Sequence, residues 1–152
     1  MSPSPGIRRQ ALSGRLLQSL RNWAAERGGW VLAAPTDLVL DPSNVVVPDL
    51  LFIAAARAAI VGANQILGAP DLMVGILSPS SRDRDLGAKR LAYEPFGVAE
   101  YWIVGPELET VKLYCQGTGG YGAATELRRE ADDALATPLL PGFRLPLAEL
   151  FC

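Results

Sequence analysis

Two Pro-Asp pairs, Pro48-Asp49 and Pro70-Asp71, open or interrupt runs that are otherwise apolar. A carboxylate in such a place is costly unless it is hydrogen-bonded, paired or bound to a cation. If the two enter adjacent strands, Asp49 and Asp71 could meet across a sheet and hold Mg²⁺, a hard ion that favours carboxylate and water oxygens. The plainer reading is that each aspartate caps a turn, and the residues alone favour neither. Lys89 follows on a charged segment, where its ammonium could stabilise a phosphoryl transition state or an attacking water. A surface ion pair with Asp85 four residues earlier explains it more simply.

Other chemistries have no residues to run on. Histidine is absent, and Cys115 and Cys152 stand far apart, so neither a zinc ligand set nor a disulfide framework can be assembled. Gly117-Thr-Gly119-Gly120-Tyr-Gly122 matches the dinucleotide pattern GxGxxG by letter. That fingerprint needs a helix at its third glycine and a later strand bearing an acid, and about 30 residues of turn-rich chain follow instead. A hairpin loop is expected there, with no nucleotide cofactor.

Something must position the carboxylates. Leu12, Leu16, Leu20, Trp23 and Ala24 recur at three- and four-residue steps between arginines, which predicts an amphipathic helix over Ile7–Arg27, stopped by Gly28-Gly29. Short runs at Trp30–Ala34, Leu38–Leu40, Val45–Ile53 and Ala58–Val61, separated by turn formers, predict strands. Asp71–Leu77 reads as a buried strand, Arg82–Tyr93 as a helix with Asp85, Lys89 and Tyr93 along one face, and Tyr101–Val104 and Thr110–Cys115 as two further strands. A short helix is expected near Leu147–Phe151. This order makes an α/β or α+β domain around a central mixed sheet, one domain spanning 1–152.

The composition sets the class. At 49% hydrophobic and 20% charged the chain has enough apolar material for a core, and no run approaches a membrane span. Without an apolar signal segment, a cytoplasmic location with no membrane association is expected. Net charge is −2, unevenly spread: residues 1–29 carry five arginines against Glu26, and residues 94–152 carry nine acidic against four basic side chains. The basic helix could face a polyanion such as DNA through Arg8, Arg9 and Arg15, or be an ordinary solvated face.

Several of these segments resemble one family. Gly68-Ala-Pro-Asp-Leu-Met-Val-Gly-Ile-Leu-Ser-Pro-Ser-Ser81, Asp85-x-x-x-Lys89-x-x-x-Tyr93 and Gly97-Val-x-Glu-Tyr101-Trp102-Ile-Val resemble the core signature of the Uma-two family. Ala34-Pro-Thr-Asp37, Val47-Pro-Asp-Leu-Leu-Phe-Ile53, Leu140-Pro-Gly-Phe143 and Leu147–Phe151 fit its remaining elements. The resemblance implies a restriction-endonuclease-like fold of the PD-(D/E)XK superfamily, a central mixed sheet flanked by helices, and Mg²⁺- or Mn²⁺-dependent cleavage of DNA phosphodiesters. It also implies that Asp49 is the metal-binding aspartate and Lys89 the lysine, with Asp71, Asp85 and Tyr93 at other positions of the pattern. Position 75, an acid in relatives, is Gly75; Arg9 replaces a frequent histidine and Gly105 a usual aspartate. Asp71 would have to take over as second carboxylate for catalysis; otherwise a non-catalytic DNA-binding or protein-interaction domain is implied. A homodimer is expected by analogy with restriction enzymes, with Tyr101-Trp102 as a candidate edge.

Overall fold

The computed structural model of the protein describes residues 5–77, 93–117 and 120–152. Helix α1 (Pro5–Ala24) buries Leu12, Leu16, Leu20 and Ala24, the stripe set by their spacing. Each leucine so buried contributes roughly 2 kcal/mol of transfer free energy. The helix ends where Gly28, at φ +84°, donates its N–H to the Ala24 carbonyl. Gly29 follows because the chain passes so close to the sheet that an added Cβ would lie 2.7 Å from the Ile53 carbonyl oxygen.

The strands are β1 (Trp30–Ala33), β2 (Leu38–Asp41), β3 (Asn44–Val46), β4 (Leu50–Ile53), β5 (Ile66–Leu67), β6 (Leu72–Ile76), β7 (Glu100–Gly105), β8 (Thr110–Gly117), β9 (Gly120–Tyr121), β10 (Thr125–Arg128), β11 (Ala134–Leu135) and β12 (Leu145–Pro146), followed by a single-turn helix, α2 (Leu147–Leu150). The main sheet runs β1-β4-β6-β7-β8-β10, with β9 on β8. It is mixed: β6 and β7 are parallel, and the other pairs are antiparallel. β3-β2-β5 form a small second sheet.

Two expectations change here. The Val45–Ile53 run is two strands, because Pro48 has no N–H for a ladder and the chain breaks across 47–49. The Ala58–Val61 strand is instead part of a 3₁₀ turn, Ala55–Ile60, whose alanines carry no β-branched side chains for a pleated surface. The glycine run is a hairpin, since Gly117 pairs with Gly120 across β8 and β9. The helix expected over 82–93 lies outside the described residues except for Tyr93, which precedes a 3₁₀ turn at Glu94–Phe96.

Strand alternation divides the core between the faces of the main sheet. Leu50, Phe52, Leu72, Val74, Ile76, Trp102 and Val104 pack against α1 and α2. Leu51, Ile53, Met73, Tyr101, Ile103 and Tyr114 pack on the opposite face, where Leu38 and Ile66 of the small sheet and Tyr93 cover them. This is the central mixed α/β sheet expected from the sequence.

Candidate functional site

Strands β4 and β6 run antiparallel with Leu50 opposite Val74, Leu51 opposite Met73 and Phe52 opposite Leu72. Continuing that register one step beyond Leu50 sets Asp49 opposite Gly75. At the other end the Asp71 N–H donates to the Phe52 carbonyl, so Asp71 and Leu72 both lie against Phe52. The two aspartates therefore stand at opposite ends of one ladder. Four steps along the chain separate positions 71 and 75, roughly 13 Å at the usual rise of a strand. The expectation that Asp49 and Asp71 share a metal is corrected on this ground: two carboxylates that far apart cannot enter one coordination sphere.

Each aspartate has the same local employment. Asp49 Oδ2 accepts the Ile76 backbone N–H at 2.7 Å, and Asp71 Oδ2 accepts that of Ala54 at 2.8 Å. Ile76 is the residue after Gly75 on β6, and Ala54 directly follows the last residue of β4. Both aspartates also face arginine. Arg9 Nη2 of α1 donates to Asp49 Oδ1 at 2.6 Å, and Arg57 Nη1 stands 3.6 Å from Asp71 Oδ2. The Asp49 and Asp71 side chains are 19% and 15% exposed, so these are partly buried pairs that water screens less than surface ones.

Position 75 is more than a missing acid. Gly75 lies on the tyrosine-bearing face, and a Cβ there would stand 3.1 Å from the Tyr101 hydroxyl. Tyr101 is held by its neighbours: Tyr93 meets it edge-on at 5.2 Å between ring centroids, and Tyr114 stacks at 6.5 Å. Tyr93 thus serves as packing for the residue that fills the space beside Gly75. At the end of β7, Gly105 packs on Thr110, with Thr110 Oγ1 3.1 Å from where a Cβ would be.

The other helix arginines are anchored as well. Arg8 Nη2 donates to the Pro106 carbonyl at 2.6 Å and Arg15 Nη1 to that of Leu150 at 2.9 Å, tying α1 to the end of β7 and to α2. Beside them Ile7, Ala11, Leu12, Phe151 and Cys152 complete an open cavity of about 380 Å³. Asp85 and Lys89 lie outside the described residues. Tyr101 and Trp102, the suggested dimer edge, are 1% and 0% exposed and belong to the core, so that edge is not a surface.

Sequence reasoning missed the Arg9–Asp49 pair and the buried Glu100, whose carboxylate accepts from Trp102 Nε1 at 2.9 Å and from the Thr137 hydroxyl. Glu100 follows the signal used for the aspartates, an acid opening an apolar strand, and its role is to join β7 to the C-terminal segment. The Cys115 thiol, opposite Glu100 across β7 and β8, is pushed up by burial and then by the Glu100 charge. Tyr121 is pushed up by burial first and then by Glu94, and its hydroxyl donates to the Val98 carbonyl. Both lie on the far part of the sheet from Asp49.

With this geometry in view, the comparisons are informative. The family model described as "Putative restriction endonuclease" matches residues 1–148. The chain belongs to the Uma2 family. A solved structure described as a "putative nuclease belonging to DUF820 from Anabaena variabilis ATCC 29413" is similar with a TM-score of 0.78 and 19% identity, over 95% of this chain and 80% of that one. That likeness establishes the nuclease fold. No curated protein matches the chain.

Members of such a fold family use divalent metals, so the residues present must be tested against that group. Among the described residues no three Cys, Asp or Glu side chains gather to hold a metal ion. At the Asp49 corner both carboxylate oxygens are engaged, one by a guanidinium, and the neighbouring position offers no side chain. The described residues do not fit a divalent ion. Also among them, no helix is long and apolar enough to cross a membrane.

Proposed function

We propose that this Uma2-family chain is a nuclease-fold domain, one unit over residues 1–152, that binds DNA and does not cut it. One observation supports this above the others: Gly75 stands opposite Asp49, whose carboxylate is already neutralised by Arg9. Phosphoryl transfer by a metal needs carboxylates to hold the ion where charge develops. An aspartate already paired, and without a second acid among the described residues, leaves that charge unsupported, so neither Mg²⁺ nor Mn²⁺ supports turnover.

DNA is the partner that the basic first helix suits. Arg8, Arg9 and Arg15 each spend one donor inside the protein and keep others, and Arg8 and Arg15 flank the open cavity beside α1. A guanidinium already oriented by one bond loses less freedom when it meets a phosphate. The reading includes a homodimer whose contact lies away from the buried Tyr101-Trp102 pair, and a cytoplasmic location.

The family description, a putative restriction endonuclease, supports a competing reading. In it the chain is a Mg²⁺-dependent endonuclease, with Asp49 as metal aspartate and Lys89 as lysine by the resemblance alone. A plasmid-nicking assay with Mg²⁺ and Mn²⁺, run on the parent beside Gly75→Glu and Asp49→Ala, separates the two. The parent is expected to be inert; cleavage by the parent that Asp49→Ala abolishes would establish the nuclease. DNA affinity measured by fluorescence anisotropy should fall steeply and linearly on a log-log salt plot. No affinity at low salt would replace DNA with a protein partner, and sedimentation velocity reads the dimer.

A further inference from the structure

The charge at Asp49 has a resident partner. Arg9 comes from the second turn of α1, forty residues away in sequence, and places Nη2 2.6 Å from Oδ1, while the other carboxylate oxygen takes the Ile76 N–H. The contact is charge-assisted and short, and Asp49 is four-fifths shielded from solvent. The Asp71 pair, at 3.6 Å, is looser although its arginine is nearer in the chain. An arginine reaching so far to so close a contact needs the whole α1 packing to aim it, and Leu12 and Leu16 fix that packing at 2% and 0% exposure.

We propose that the Arg9 guanidinium is the permanent counter-cation of Asp49. It carries the positive charge that a divalent ion carries elsewhere in this fold, and it turns the corner from a metal site into an ion-pair lock between α1 and the β4–β6 ladder. A largely shielded carboxylate needs a positive partner to stay ionised; here that partner is covalently part of the chain, so it is supplied at any metal concentration. Among the described residues, a dication approaching Asp49 meets the guanidinium, one carboxylate, and the Tyr101 hydroxyl beside position 75 where a second acid would start. Gly75 is the matching half of the change, since a second acid at 75 would leave two negative charges against one arginine. The proposal rests on the chain being catalytically silent, and it goes further in naming what replaces the metal.

The test reads binding and folding, with no need of activity. Mn²⁺ is titrated by electron paramagnetic resonance into the parent, Arg9→Ala and Arg9→Ala/Gly75→Glu. The parent should show no saturable site, and the double variant should show one that saturates. In parallel, urea unfolding of Arg9→Ala, Asp49→Ala and both together should show strong non-additivity, the second substitution costing little once the first is made. Thermal unfolding of the parent should not shift with Mg²⁺. A saturable Mn²⁺ site in the parent that Asp49→Asn removes would overturn the proposal, even if plasmid remains uncut and the silent reading stands. Additive unfolding effects would overturn it too, and that result remains available if the Gly75→Glu double variant fails to fold. Plasmid cleavage by the parent would instead defeat the reading beneath it.

Discussion

The two ends of the β4–β6 ladder carry the same dipeptide and the same bonds, yet only one end is a candidate site. At one, buried Pro48 precedes Asp49; at the other, buried Pro70 precedes Asp71. Each carboxylate takes an N–H from the opposing strand and faces an arginine. The difference is the residue across the ladder. Asp71 lies against Phe52, buried in the core, whose carbonyl takes the Asp71 N–H, whereas the register sets Asp49 opposite Gly75 with the Tyr101 hydroxyl close by. A Pro-Asp pair at a strand entrance is thus first a ladder-end cap, and it becomes chemistry only where the opposite position leaves room for a second polar group.

Substitutions can break this comparison. Asp49→Ala strands the Arg9 guanidinium and an inner N–H, and should cost about 2–4 kcal/mol in urea unfolding. Asp71→Ala loses the Ala54 bond and a longer ion pair, and should cost about 1–2 kcal/mol. If Asp71→Ala proves the costlier, the asymmetry between the ends is misplaced.

Gly75→Ala probes the open side of the Asp49 end. Its Cβ meets the Tyr101 hydroxyl of a ring wedged between two others, which should cost about 1 kcal/mol, whereas an effect of zero would mean that the ring yields freely. The smallest effect lies on the same face, away from the ladder. Tyr121 is raised above its ordinary value, so its neutral form is favoured in the folded state. Its share of stability is fully present below the unfolded tyrosine pKa and is lost as pH rises from there through the folded one. Ultraviolet titration should find this tyrosine un-ionised at pH 10 to 11 in parent protein, and ionising together with the other tyrosines once urea unfolds the chain.

Much of the fold was legible because it depends on local pattern. The α1 stripe, the buried runs around 72–76 and 101–104, and the glycine hairpin follow from periodicity and turn chemistry. The Ala58–Val61 run reads as a strand but is part of an exposed 3₁₀ turn, since four apolar residues in a row carry no periodicity that separates the two. Asp49 was legible as an acid needing a partner; which partner was not.

By itself the sequence determined the α1 core stripe, the central strands around 72–76, 101–104 and 110–115, the family signature and the absence of an acid at position 75. The tertiary structure decided the rest. Whether Asp49 and Asp71 meet depends on the direction and register of β4 against β6, and antiparallel pairing sends them to opposite ends. Whether Arg9 faces DNA or Asp49 depends on how α1 docks on the sheet, a long-range consequence of leucine packing that no local spacing encodes.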